Sequence, residues 1–182
     1  NSKRKLVSFM KYLVVSDIHG SIDSAEILIE KFLANKCDKI LLLGDILYHG
    51  PRNDLPNKYA PKQVITLLNQ YQDKIIAIKG NCDAEVDEMV LSFKIRKDHT
   101  LNIKGKKIYL THGHHINHLS PTDKKVDAIL HGHTHIIKVD KVNNQTYVNI
   151  GSITLPKENS KRCYGILENN VISIYSIDDK LI

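Results

Sequence analysis

Tyr12-Leu13-Val14-Val15-Ser16-Asp17-Ile18-His19-Gly20 opens as an unbroken apolar run and closes on an aspartate and a histidine two residues apart. A run this short, rich in Val and Leu and without polar alternation, suits a strand buried on both faces. Side chains two apart in an extended segment point the same way, so Asp17 and His19 can grip one ion. Four more segments follow the same pattern. Ile40 to Leu43 precedes Gly44-Asp45, Ile75 to Ile78 precedes Gly80-Asn81, Ile108 to Leu110 precedes His112-Gly113, and Ala128 to Leu130 precedes Gly132-His133-Thr134-His135. Open α/β sheets place their sites beyond the carboxyl ends of such strands. One Asp or His after a strand is commonly a turn residue. Five in series read as a binuclear metal site.

Between these segments the pattern is first α/β and then mostly β. Ser21 begins a helix ending near Asn35, with Ile22, Ala25, Ile29, Phe32 and Leu33 on its apolar face. Pro61 suits the first turn of a second helix running through Gln70, whose apolar set is Val64, Ile65, Leu67 and Leu68. From Phe93 onward hairpins are expected: Lys94 to Ile103 with Lys107 to Thr111, then Ile136 to Val142 with Thr146 to Ile150, and a last pair around Asn169-Asn170. The order implies an α/β chain of two mixed sheets packed face to face with helices outside. Composition alone leaves a single mixed sheet open as the alternative.

At 182 residues the chain fits one domain, assigned to residues 10–182, with residues 1–9 read as an extension outside the core and Met10 as a candidate start. Lys3-Arg4-Lys5 and the apolar run after it resemble the opening of a secretion signal. No small-residue cleavage site follows, and cleavage there would remove the strand that carries Asp17. The same three residues supply half of the formal net charge of +6, and the other lysines are scattered. Neither nucleic acid nor a membrane is therefore expected as a partner. Cys37, Cys82 and Cys163 are an odd number without C-x-x-C spacing, which argues against a disulfide framework and fits a cytoplasmic protein. The apolar strand pair from Tyr164 to Ile177 offers an edge through which a homo-oligomer could form.

The donor set of Asp, Asn and His suits two divalent ions, with Mn²⁺ as first choice and Zn²⁺, Ni²⁺, Fe²⁺ and Co²⁺ as alternatives. Asp45 is expected to bridge them through its two carboxylate oxygens. Ions about 3.5–4 Å apart would generate hydroxide from a bridging water and clamp a phosphate for in-line displacement. Phosphate-ester hydrolysis is the natural reaction. Seven of the ten histidines lie between His112 and His135. His133 and His135 repeat the two-residue spacing of Asp17 and His19 and read as ligands, whereas His114, His115 and His118 fall in a loop. His131 is expected to orient a ligand or the backbone. His99 reads as surface, and Asp23, Asp38, Asp73, Asp127 and Asp140 as caps or turn residues. In the long loop from Gly44 to Ala60, His49 is the candidate for contacting the phosphate or supplying a proton, and Arg52 for pairing with phosphate through its fork of donors.

Taken together, the motifs Asp17-x-His19, Gly44-Asp45, Gly80-Asn81, His112-Gly113 and Gly132-His133-x-His135 resemble the calcineurin-like metallophosphoesterase superfamily, most closely its YfcE-like phosphodiesterase branch. The resemblance spans Met10 to about Leu167. It implies a four-layer α/β/β/α sandwich with a dimetal centre at the strand ends. It also implies that Asp17, His19, Asp45 and His135 hold one ion, and that Asp45, Asn81, His112 and His133 hold the other. Many members of the superfamily have a histidine directly after the Gly-Asn motif to protonate the leaving group. Cys82 stands there, as in the YfcE-like branch, and either donates that proton or packs as a small apolar group. The implied activity is hydrolysis of a small phosphodiester by a metal-bound hydroxide; joined to the reading of the loop after Asp45, it makes Asp45, Asn81 and His49 the candidate catalytic residues and His49, Arg52 and Asn81 the candidates for touching substrate. Alternatives are a phosphomonoesterase on the same site or a Vps29-like protein-binding scaffold.

Overall fold

The computed structural model describes residues 9–182. The expected N-terminal extension, apart from Phe9, lies outside the described residues. The first motif builds the centre of one sheet. β1 (Tyr12–Val15) pairs in parallel with β2 (Lys39–Leu42) and antiparallel with β10 (Cys163–Glu168). With β3 (Ile75–Ile78), β4 (Ile95–Arg96) and β11 (Val171–Ser176), they form a six-stranded sheet ordered β11-β10-β1-β2-β3-β4. A second, five-stranded sheet contains β5 (His99–Ile103), β6 (Lys106–Leu110), β7 (Ala128–His131), β8 (Ile137–Val142) and β9 (Gln145–Ile150), in the order β5-β6-β7-β9-β8. These are the two mixed sheets with flanking helices that the motif order implied.

Strand β1 shows why its sequence does not alternate. Leu13 and Val15 join the core under the helices, while Tyr12 and Val14 join the core between the sheets. The inner core sets Val14, Leu41, Leu43 and Ile78 against Leu110, Leu130, Val148 and Ile150. Full burial of each such side chain stabilises the fold by about 1.5–3 kcal/mol. Helix α1 (Ile22–Ala34) is capped by Ser21, whose hydroxyl accepts the Ser24 N–H at 3.3 Å. Its buried face is Ala25, Leu28, Ile29 and Phe32. Leu33, assigned to that face from spacing, is 58% exposed. Leu28 takes its place because it completes the i, i+3, i+4, i+7 stripe from Ala25. Helix α2 (Pro61–Asn69) starts on its proline and buries Val64 and Leu68.

Two elements depart from expectation. Lys94 to Ile103 is not one hairpin arm. β4 pairs in parallel with β3, and the chain then crosses at Lys97-Asp98 into the second sheet as β5. Ile95 packs with the helix-side core, whereas Leu101 and Ile103 pack between the sheets, so each half of the segment follows a different apolar layer. A further helix, α3 (Glu85–Val90), has no counterpart in the sequence reading. Its Asp87 carboxylate accepts the Ala84 N–H at 3.0 Å, a local start signal. Val86, Met89 and Val90 are all exposed, so no buried apolar stripe announces it.

The outer layers are unequal. On the far face of the second sheet, Tyr109, Ile129 and Tyr147 are met by Ile116 and Val126 from the irregular segment 111–127 instead of by a helix. Strand β11 is an edge, and the chain folds its own Leu181 back onto Tyr175 there. Among the described residues no helix is long and apolar enough to cross a membrane.

Candidate metal centre

The strand ends named by the sequence meet at one place. Asp17, His19, Asp45, His133 and His135 all adopt left-handed backbone conformations, with φ of 58, 50, 54, 76 and 62°. Such conformations cost energy in residues other than glycine and persist where surrounding bonds hold them. Here the motif loops hold one another. Asp17 N–H donates to Gly44 O at 3.1 Å, His19 N–H to Asp45 O at 2.9 Å, and Gly132 N–H to His112 O at 2.9 Å. The glycine preceding each of two candidate ligands permits this approach. A side chain at Gly80 would collide with Asp45 Oδ1, and one at Gly132 with Ser16 and Asp17 Oδ2.

The donor atoms fall into two linked groups. In the first, His19 Nε2 lies 3.1 Å from His135 Nε2, and Asp17 Oδ1 lies 3.5 Å from the former and 3.3 Å from the latter. In the second, Asn81 Oδ1 is 3.0 Å from His112 Nε2 and 2.9 Å from His133 Nδ1, while His112 Nε2 is 3.2 Å from Asp45 Oδ2. Asp45 Oδ2 joins the groups, at 3.7 Å from His19 Nε2. Asp45 Oδ1 accepts the Cys82 N–H at 2.8 Å. Of the two oxygens expected from sequence to share the ions, it is Oδ2 that faces both groups.

Hydrogen bonding fixes which ring atoms face inward. His19, His112 and His135 each direct Nδ1 at a backbone carbonyl: Tyr48 O at 2.8 Å, Leu43 O at 2.7 Å and Leu155 O at 2.7 Å. A carbonyl only accepts, so Nδ1 carries the proton and a neutral ring presents its Nε2 lone pair to the site. Two such lone pairs therefore face each other across the His19–His135 gap. Beside them, Asp17 Oδ1 is buried without a hydrogen-bond partner. Acceptors converging without a donor fit a cation, and Asp17, His19 and His135, like Asp45, His112 and His133, form clusters able to hold one.

Without metal, protons take that place. Burial pulls His112 down, but its hydrogen bond to Asp45 and the charges of Asp17 and Asp45 outweigh this and lift it to about 9. Asp17 lies well below the usual carboxylate range despite its burial, held there by His135, His19 and the His112 charge. Asp45 is lowered too, its burial outweighed chiefly by His112. The raised His112 adds stability that is fully present below its ordinary 6.5 and lost as pH rises through about 9. The lowered carboxylates add stability that is present above their ordinary 3.8 and lost as pH falls through their folded values. Because buried His131 must charge as pH falls from 6.5 toward about 4, metal-depleted protein should melt highest near pH 6.5 and progressively lower toward pH 9, with the alkaline loss reversed by added divalent metal. Thermal unfolding across pH, with and without metal, checks this.

The remaining predicted residues divide. Arg52, Asn81 and Cys82 line a cleft of about 410 Å³ over the donor groups. His49 does not: its ring packs edge-on against Tyr48 at 4.8 Å and Tyr59 at 5.2 Å, while Tyr48 and Gly50 take the cleft wall. Gly50 (φ 85°) turns the chain immediately after it. Burial and the Asp45 charge push the Cys82 thiol up to about 12. His131 is buried against the Gly113 backbone, and burial drives it down to about 4. His114 and His115 line a separate cavity, and His118 lies 3.5 Å from Asp140.

Two residues went unassigned in the sequence reading. Lys157 lines the cleft from the loop after β9. Buried Asp83 accepts three backbone N–H groups, from Asp45 at 2.8 Å, Ile46 at 2.8 Å and Gly80 at 2.7 Å, and so ties two ligand loops together. Its position three residues after Gly80 was the available signal, since Asp commonly bonds nearby backbone in such turns.

Residues 10–170 match the model of the calcineurin-like phosphoesterase superfamily domain. The chain is 38% identical over 175 residues to phosphodiesterase YfcE of Escherichia coli strain K12, covering 95% of each. The solved structure of YfcE, a phosphoesterase from E. coli, superposes with a TM-score of 0.90 at 37% identity, covering 95% of this chain and 97% of that one. Vacuolar protein sorting 29 from Cryptosporidium parvum shares the fold at a TM-score of 0.63 and 17% identity, over 95% and 94% of the two chains. With five motif loops meeting at one cluster of Asp, Asn and His donor atoms and a family model spanning them, the chain belongs to the calcineurin-like phosphoesterase superfamily.

Proposed function

We propose that this protein is a cytoplasmic, metal-dependent phosphodiesterase acting on small diesters. The observation that carries the reading is the convergence of the His19 and His135 lone pairs with the unpartnered Asp17 oxygen, beside a second donor group that shares Asp45 Oδ2. The similarity to a protein named phosphodiesterase adds the substrate class. Two divalent ions held by Asp17, His19, Asp45 and His135 on one side and Asp45, Asn81, His112 and His133 on the other would supply Lewis acidity and an activated water near neutral pH. The chain does the rest. Three backbone carbonyls orient the imidazoles, Asp83 holds the Asp45 and Gly80 turns in register, and Arg52 and Lys157 bring positive charge to the cleft that receives the phosphate. The Cys82 thiol keeps its proton at neutral pH but is a weak acid, so esters with acidic leaving groups should turn over best.

The test is reconstitution of metal-depleted protein with Mn²⁺, Zn²⁺, Ni²⁺ or Mg²⁺, assayed against a chromogenic aryl diester and its monoester while bound metal is counted. The expected result is about two metals per chain with the diester preferred. Preference for the monoester would redirect the reading to a phosphomonoesterase. A folded, metal-loaded protein inert toward both would favour a binding scaffold.

A further inference from the structure

A phosphodiester carries two ester arms, and the cleft over the donor groups accounts for one of them. Behind it lies a second cavity, about 610 Å³ against about 410 Å³ for the cleft. The two share a wall. Asn81 and Asp83 line both, so the loop that presents the Asn81 amide to His112 and His133 stands between them. Their other walls differ in chemistry. The cleft has Tyr48, Arg52, Cys82 and Lys157, whereas the second cavity combines buried Ile95 and Tyr109 with Ile116 and the rings of His114 and His115. Those two imidazoles lie 4.0 Å apart between centroids, and His115 is exposed. His114 Nδ1 has no hydrogen-bond partner among the described residues, and Thr111 with the charged Lys79, Glu88, Lys97 and Asp98 makes up the rest of the wall. The side formed by Ile95, Tyr109, Ile116 and the two imidazoles suits the face of a flat organic ring, and the three acidic residues opposite two lysines make the cavity a poor second phosphate site.

We propose that this cavity is a subsite for the second ester arm, and that it selects diesters in which that arm carries a planar aromatic ring. The inference rests on the phosphodiesterase reading. A phosphate held over Asn81 would place one arm in the cleft beside Cys82 and the other in the cavity beside His114 and His115. Nothing in the metal donor set requires the cavity, so changes on its far wall should alter choice of substrate and leave the hydrolytic machinery intact.

Two chromogenic diesters with the same leaving group separate the arms: bis(4-nitrophenyl) phosphate, whose second arm is a ring, and methyl 4-nitrophenyl phosphate, whose second arm is a methyl group. The metal-loaded full chain is compared with His115→Ala, which removes an exposed stacking ring, and Ile116→Trp, which fills the cavity. His115→Ala should raise KM for the bis-aryl diester about fivefold, as loss of one stacking contact would, with kcat and the methyl diester within twofold of wild type. Ile116→Trp should lower kcat/KM for the bis-aryl diester at least tenfold with the methyl diester again spared. Because His115 is exposed, the first variant decides the matter even if the second unfolds. Equal effects of His115→Ala on both diesters, or none on either, would overturn the subsite while leaving the phosphodiesterase reading in place. If the wild type hydrolyses neither diester, both fall.

Discussion

Asp45→Ala should bind fewer than one metal per chain in place of two and lose about 10³-fold in kcat/KM, the upper end of what removal of one preorganised electrostatic group costs. The magnitude follows from sharing. Asp45 Oδ2 lies 3.2 Å from His112 Nε2 and 3.7 Å from His19 Nε2, so one atom belongs to both donor groups. Asp45 Oδ1 also anchors the Cys82 N–H, and through it the loop that carries Asn81. His19→Ala, by contrast, removes a ligand from one group alone and should leave the His112 side with its metal. Metal analysis of both variants alongside turnover makes the comparison. Two metals per chain and normal turnover in Asp45→Ala would sink the shared-oxygen model.

A larger effect on the fold is expected from Asp83→Ala, a residue that need not touch metal or substrate. Its carboxylate accepts N–H groups from Asp45, Ile46 and Gly80, so alanine strands three backbone donors in a buried turn. Each stranded donor costs about 1–3 kcal/mol, and partial relaxation should leave a net loss of about 3 kcal/mol or more. Freed of this clamp, the Gly44 to Ile46 and Gly80 to Cys82 turns would drift apart. Metal affinity in the His112 group and turnover should then fall by roughly 10²-fold, since misplacement by about 1 Å has that effect. Asp83→Asn keeps the shape but replaces one acceptor oxygen with a donor, so it should fall between. Denaturant unfolding and metal titration check the pair, and an alanine variant with unchanged midpoint and affinity would show that water replaces the clamp.

Much of this site can be read directly from residue order. An apolar run without alternation dictates a strand covered on both faces, and β1 divides its side chains between the two cores as that pattern demands. Ligand-type residues after five such runs are brought together because parallel strands deliver their carboxyl ends to one edge. The spacing of Asp17 with His19 and of His133 with His135 carries through to space, although by left-handed turns rather than the extended geometry assumed. Leu33 and His49 show the limits of local pattern. Each has the right residue type at a plausible spacing, but Leu33 falls one position past buried Phe32 on the exposed side of α1, and the His49 ring packs against Tyr48 and Tyr59.

From the chain alone came the candidate ligand types, their order, the mixed-sheet class and the chemistry of phosphate-ester cleavage, because periodicity and side-chain chemistry are local properties. Three-dimensional packing settled which Asp45 oxygen faces both donor groups, which ring nitrogens point inward, that Asp83 clamps the two turns, and that a second cavity adjoins Asn81. Each of these depends on backbone donors, carbonyls and walls contributed by segments distant in the chain, and no local spacing encodes where those segments meet.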